Sequence, residues 1–250
     1  MTAVFVHGVP ETSHLWNRLR TCLSTDSVAL RLPGFGASRP DGFESTMDEY
    51  VQWVEGELHK LDGPIDLVGH DWGGLLVARV ATRSTVALRS WAMDVAGILH
   101  PDYAWHDIAQ LWQTPGSGEA WATSTLEASD PGSALSAAGQ LIAAGVPEDD
   151  ARSMGEDFDL TMASSILALY RSATPNPFAH WGTELTSPTT APGLVIHPTL
   201  DPFDDAASPA VASTLGARFE PLEGLGHWWM LEEPRTAAVA LEKFWADLDS

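Results

Sequence analysis

The stretch Gly69-His70-Asp71-Trp72-Gly73-Gly74 constrains this chain more than any other. An apolar run over 65–68 ends there and a helix-like run over 74–82 follows, so the chain must turn sharply from strand to helix with an acidic residue at the apex. Such a turn crowds its apex and tolerates only tiny residues two positions either side, which Gly69 and Gly73 supply. Asp71 has two readings. It is a carboxylate nucleophile that attacks an electrophilic carbon, giving an alkyl ester that water must cleave, or it is simply the N-cap of the helix. The flanking glycines and Trp72 favour the nucleophile.

Hydropathy patterning places further short strands over 3–6, 27–32, 88–94, 193–197 and 218–222, and helices over 14–23, 46–61 and 234–248, the second begun by Ser45 or Thr46. Strands alternating with helices predict an α/β fold with a mainly parallel sheet of about six strands, whose reactive loops lie at the strands' carboxyl ends. His7, Asp71, Asp94, Asp201 and His227 all follow predicted strands. Segment 98–185 breaks the rhythm. It is rich in Trp and Ala at helical spacing and is interrupted at Pro115-Gly116, Pro131-Gly132 and Pro175-Asn176-Pro177, which predicts a helical cap over 98–185 inserted into a core made of 1–97 and 186–250.

Composition narrows the partners. With a net charge of −21 and Lys60 and Lys243 as its two lysines, the 250-residue chain is poorly suited to nucleic acid or to anionic membranes, and a small uncharged or cationic substrate fits better. Cys22 is the single cysteine, so no intrachain disulfide is possible, and no Cys/His spacing suits zinc. Neither a secretory leader nor a membrane-length apolar run is evident, so the expectation is a soluble cytoplasmic protein that needs no cofactor or metal.

Three separated motifs carry a resemblance. His7-Gly8-Val9-Pro10-Glu11 resembles an oxyanion segment, Gly69-His70-Asp71-Trp72-Gly73-Gly74 a nucleophile elbow, and Gly226-His227-Trp228 a loop carrying a catalytic base. Their order, with a helical insertion between the second and third, is similar to the α/β-hydrolase superfamily, and within it to the branch of epoxide hydrolases and haloalkane dehalogenases. Relatives usually have two more strands before the first motif. The sheet should therefore be shortened, with 27–32 as an edge strand that needs covering and a homodimer as one means of covering it.

The resemblance implies Asp71 as nucleophile, the amides of Val9 and Trp72 as an oxyanion hole, and His227 as the base that activates water. Asp201 stands at the position of the acid that orients the base. Asp94 is its rival, because some relatives supply the acid from the preceding strand, whereas Asp204 and Asp205 read as solvated. Ala168-Leu169-Tyr170-Arg171-Ser172 resembles the cap segment that carries an oxirane-polarising tyrosine, making Tyr170 the proton donor. The second family tyrosine is missing, its position falling near Ile108. Trp112 and His106 are the substitutes, with Tyr103 too early in the segment.

These letters imply an epoxide hydrolase that gives a vicinal diol. The alternative is a haloalkane dehalogenase using Trp72 and a cap tryptophan as halide donors, although Val9 stands where one subclass has asparagine. Trp72 also replaces the arginine that carboxylate-bearing substrates require. A ligand receptor on the same fold is a third reading. Eleven tryptophans, Trp228 among them as a pocket candidate, point to a small apolar or aromatic substrate.

Overall fold

The computed structural model describes residues 1–83, 86–204 and 206–249. Six parallel strands, β1 (Thr2–Val6), β2 (Ser27–Ala29), β3 (Ile65–Gly69), β4 (Leu88–Met93), β5 (Gly193–Pro198) and β6 (Arg218–Leu222), form one sheet in the order β2-β1-β3-β4-β5-β6. The two-residue period of the strands divides the core between the faces. Val4, Val6, Leu67, Trp91 and Met93 belong to one apolar cluster, while Ala3, Phe5, Val68, Ala92 and Ile196 belong to the other. Both faces are buried, which is why these strands read as continuous apolar runs rather than alternating ones.

Helices α2 (Met47–Leu58) and α3 (Trp72–Arg83) cover the first face. The short α1 (Asn17–Arg20), with α11 (Trp229–Glu232) and α12 (Pro234–Asp247), covers the second. Thr46 begins α2 through a capping box in which its hydroxyl accepts from the Glu49 amide and the Glu49 carboxylate accepts from the Thr46 amide. The helix expected over 14–23 is shorter, a 3₁₀ turn at Ser13–Trp16 running into α1.

The edge strand β2 stops at Ala29 rather than at residue 32. The cause lies in β1's terminus. His7 Nε2 accepts the Leu32 amide at 3.3 Å, drawing the chain out of the sheet before Pro33-Gly34. The edge itself is covered in part by Arg20, whose guanidinium donates to the Ser27 carbonyl at 2.7 Å. Between β5 and β6 the sequence reading missed α10 (Ser208–Leu215), although a parallel crossover demands a connection there.

Six helices separate β4 from β5: α4 (Asp107–Gln113), α5 (Ser117–Glu127), α6 (Ala137–Ala143), α7 (Glu148–Gly155), α8 (Leu160–Ser172) and α9 (Phe178–Trp181). Helix α8 packs on α4 and α5 and touches α2, so the inserted segment is seated on the core next to the carboxyl end of the sheet. Among the described residues no helix is long and apolar enough to cross a membrane.

Candidate active site

The turn after β3 has the geometry its glycines imply. Asp71 is in the left-handed region at φ 51°, a conformation that side chains other than glycine rarely adopt. A Cβ on Gly69 would meet the Gly73 carbonyl oxygen at 2.2 Å, and one on Gly73 would meet the Val6 carbonyl oxygen at 2.2 Å. Both obstacles are backbone and cannot swing aside. The strained elbow is thus wedged between α3 and β1, and it lifts the Asp71 carboxylate into a cleft where it is 7% exposed.

Asp71 is not acting as a side-chain cap. Its Oδ1 accepts from the Val9 amide at 2.9 Å, across to the loop after β1. Trp72 is the first residue of α3, where a backbone amide has no partner within the helix. Both groups expected as oxyanion donors therefore sit beside the carboxyl group, with Val9 in direct contact.

His227, in the loop after β6, donates from Nδ1 to Asp201 Oδ2 at 2.8 Å. That bond leaves the neutral ring's Nε2 as the acceptor. Asp201 is held from its other side by the Phe203 amide, which donates to Oδ1 at 2.8 Å. Burial raises the Asp201 carboxyl, but His227 and these hydrogen bonds outweigh it and hold it below the usual range. For His227, burial and the neighbouring His70 lower its pKa, while Asp201 and Asp71 raise it further, leaving it above the ordinary imidazole value.

Asp94, the rival acid, is placed elsewhere. It is fully buried and its carboxylate accepts from three donors: the Asp71 amide at 2.8 Å, His70 Nδ1 at 2.5 Å and Trp229 Nε1 at 2.7 Å. Asp94 therefore supports the elbow from below, and Asp201 is the carboxylate that meets His227. Asp204 is not solvated. Its side chain is 2% exposed, bonded to His197 Nδ1 at 2.7 Å and to the Ser208 hydroxyl. Asp205 lies outside the described residues.

Facing Asp71 is a cleft bounded by Val9, Phe203, His227 and Trp228 from the core and by residues of the inserted helices. Tyr170 on α8 and Trp112 on α4 line it, their rings 4.8 Å apart, together with Trp121 and Phe158. Burial, reinforced by the Asp71 carboxylate, pushes the Tyr170 phenol well above its ordinary pKa, so it is a protonated donor at neutral pH. The Trp112 indole N–H is buried without a partner, and that of Trp72 faces the Tyr170 hydroxyl at poorer geometry than a full hydrogen bond.

His106 lines the same cleft and caps α4, its Nδ1 accepting the Ala109 amide at 3.4 Å. A neutral ring so engaged carries its proton on Nε2, and burial indeed lowers the pKa of His106. At the far end Gln140 spends its amide on Trp121 Nε1, Thr125 and the Leu135 carbonyl, which leaves that end apolar in character. Trp105 stacks on Trp72 at 5.8 Å instead of entering the cleft.

Two residues beneath the elbow went unread in the sequence. Glu11 is fully buried and accepts from Trp228 Nε1 at 3.1 Å, and its Oε1 stands 3.8 Å from His70 Nε2. A charged letter directly after an apolar strand-end motif was the signal available for Glu11. His70, whose ring lies 4.4 Å from that of His227, is the residue before the nucleophile. Glu11, His70 and His227 each offer a ligand atom within 4.8 Å of the others. Burial disfavours a charge on the His70 ring, but Asp94 and Glu11 overcome it and raise its pKa to about 10.

Comparison with known proteins identifies the family and the fold. Residues 3–241 match the model of the alpha/beta hydrolase family. A haloalkane dehalogenase of Mesorhizobium japonicum is 27% identical over 135 residues, a match that spans 47% of this chain and 41% of that protein. Among solved structures, haloalkane dehalogenase DbeA from Bradyrhizobium elkani superposes with a TM-score of 0.77 at 19% identity, covering 99% of this chain and 90% of its own. Epoxide hydrolase VrEH1 from Vigna radiata gives a TM-score of 0.77 at 19% identity, covering 98% and 91%. At such identities the likeness of structure is one of fold, shared equally by the two activities. The family match over nearly the whole length, together with the six-stranded parallel sheet and its helical flanks, establishes that this chain belongs to the alpha/beta hydrolase family.

Proposed function

We propose that this hydrolase opens epoxides of small apolar or aryl substituents to vicinal diols, with residues 98–185 serving as the cap that closes the site. The observation that carries the reading is Tyr170, a protonated phenol in the cleft wall within the field of Asp71. Ring opening needs a proton for the departing alkoxide, and halide release does not.

In this reading an Asp71 carboxylate oxygen attacks one oxirane carbon as the C–O bond to the ring oxygen breaks. The Tyr170 proton passes to that oxygen, with His106 Nε2 or the Trp112 indole as the second donor. His227 Nε2 then takes a proton from water, and the hydroxide adds to the ester carbonyl carbon while the Val9 and Trp72 amides hold the oxyanion. Collapse expels the second diol oxygen, which takes the proton from His227. The proton left on the Asp71 carboxyl restores Tyr170, so the balance is one epoxide and one water to one diol. Asp201 fixes the tautomer of His227 throughout.

A second reading has support of its own. The buried indole N–H groups of Trp72 and Trp112, without full partners, are soft donors suited to a leaving halide. One experiment separates the two. A single turnover with styrene oxide in ¹⁸O-water should give a diol of unlabelled oxygen and leave the label on the Asp71 peptide. Label in the diol after one turnover would overturn the nucleophile role. Release of bromide from 1-bromo-2-phenylethane with no diol from any aryl epoxide would move the assignment to dehalogenation.

A further inference from the structure

Three rings from three parts of the inserted segment meet in one stretch of the cleft wall: Trp112 on α4, Trp121 on α5 and Phe158 in the turn between α7 and α8. Trp121 touches both of the others, its centroid 5.1 Å from Trp112 at an interplanar angle of 60° and 5.7 Å from Phe158 at 83°. These are the tilted and edge-to-face arrangements in which aromatic rings attract one another. Among the described residues that line the cleft there is no lysine or arginine.

The Trp121 indole is held in place. Its Nε1 donates to Gln140 Oε1 at 2.8 Å, and Gln140 Nε2 donates in turn to the Thr125 hydroxyl at 3.0 Å and to the Leu135 carbonyl at 2.7 Å. The Thr125 hydroxyl donates to the Trp121 carbonyl at 2.9 Å, one turn back along α5, which closes a ring of hydrogen bonds from α5 to α6 and back. The amide group of Gln140 and the Thr125 hydroxyl proton are thereby engaged. Gln140 itself lines the cleft on a stripe of α6 with Ala137, Leu141 and Ala144, the spacing that puts four side chains on one face of a helix. With its amide turned to α5, Gln140 offers a substrate its methylenes, and the alanines on either side of it add only methyl groups to the wall.

We propose that Gln140 is a specificity-determining residue that acts through Trp121: the hydrogen bond it accepts fixes the indole so that Trp112, Trp121 and Phe158 form a subsite for a neutral aryl group of the substrate. The proposal rests on the epoxide-opening reading above and adds to it which group the cleft selects and what enforces the choice. A flat ring gains from ring contacts of the kind already present in the wall, worth about 2-fold to 10-fold over a saturated ring of the same size. A ring bearing a charge or a hydroxyl would bring it to a wall whose own polar atoms are engaged, and would lose solvation without return. An ammonium group, which the net charge of −21 would draw toward the protein, would shed its water against a stretch of wall that holds no carboxylate.

The test has two arms. In the first, kcat/KM is measured for benzyloxirane and cyclohexylmethyloxirane, whose methylene makes the two oxiranes alike in intrinsic reactivity. Wild type should prefer the aryl compound by about 2-fold to 10-fold, although the saturated ring is the more apolar. Gln140→Met, close in length and without the amide, should bring the ratio to about one through a loss on the aryl compound alone, as should Trp121→Leu, and the two together should change it no further than Trp121→Leu by itself. A Gln140→Met that lowers both substrates in proportion, or a double variant whose losses add, would reduce Gln140 to a structural role and overturn the proposal.

The second arm makes no bond. Calorimetric titration with benzyl alcohol, cyclohexylmethanol and tetramethylammonium should give the tightest binding to benzyl alcohol in wild type, and Gln140→Met should lose that advantage. Equal affinity for the two alcohols, or tighter binding of tetramethylammonium, would overturn the proposal. This result stands whatever Asp71 attacks: an aryl advantage without turnover of any epoxide upholds the subsite and sinks the reaction assigned above, and epoxide turnover without an aryl advantage does the reverse.

Discussion

Asp201→Asn separates the orienting acid from everything else in the site. The pair is short, His227 Nδ1 to Asp201 Oδ2 at 2.8 Å, and the Asp201 side chain is fully buried, so solvent does not replace it. When His227 takes a proton from water it becomes a cation whose charge centre lies about 4 Å from the carboxylate, worth about 4 kcal/mol at an effective dielectric of about 20. Losing most of that from the transition state slows ester hydrolysis by about 10³-fold. An amide that also stabilises the wrong imidazole tautomer carries the loss toward about 10⁴-fold. Ester formation does not use His227 and should proceed near the wild-type rate. Stopped-flow tryptophan fluorescence reads both steps, because Trp112, Trp121 and Trp228 line the cleft. Hydrolysis within tenfold of wild type, or a greater loss in Asp94→Asn at pH 9, would refute the assignment of Asp201.

Further outcomes follow from the same coordinates. Tyr170→Phe should slow ester formation from an epoxide by about 10² to 10⁴-fold and spare ester hydrolysis, since only ring opening uses the phenol proton; pre-steady-state traces with the reverse pattern would remove Tyr170 from the chemistry. Gly73→Ala, whose Cβ would meet the Val6 carbonyl oxygen at 2.2 Å, should cost about 3 kcal/mol or more in urea unfolding, well above an ordinary substitution. His7 has a pKa lowered to about 4, chiefly by burial. Its contribution to stability is therefore present above the unfolded value of about 6.5 and lost as pH falls toward 4, on the order of 3 kcal/mol. A stability profile that is flat between pH 6.5 and 4 in wild type, and equally flat in His7→Gln, would contradict this.

The sequence carried the elbow because backbone crowding is written in single letters: glycine at 69 and 73 has no other economical reason at a strand-to-helix turn. The strands were legible because both faces of the sheet are buried. Helix α10 was not, because Ser208–Leu215 is made of small residues with little apolar contrast between its faces. The choice between Asp201 and Asp94 also lay beyond sequence, since both are acids at strand ends. What separates them is which histidine each one reaches, and that depends on how the loops after β4, β5 and β6 converge. For the same reason His106 read as a possible donor but not as the cap of α4. The buried pairing of Glu11 with Trp228, and of Asp94 with Trp229, joins residues more than a hundred positions apart.

The central claim is that Asp71 forms a covalent ester that His227 helps water to cleave. His227→Gln removes only the base, so ester formation should continue and the adduct should accumulate. Intact-mass spectrometry after exposure to a panel of aryl epoxides and haloalkanes reads this directly. The account predicts a stoichiometric gain equal to the whole epoxide, mapped by proteolysis to the peptide that contains Asp71. An alkyl adduct lacking halogen on the same peptide, with none from any epoxide, would keep the nucleophile and replace the substrate class. An adduct on any other residue, or no adduct from any compound, would contradict the account.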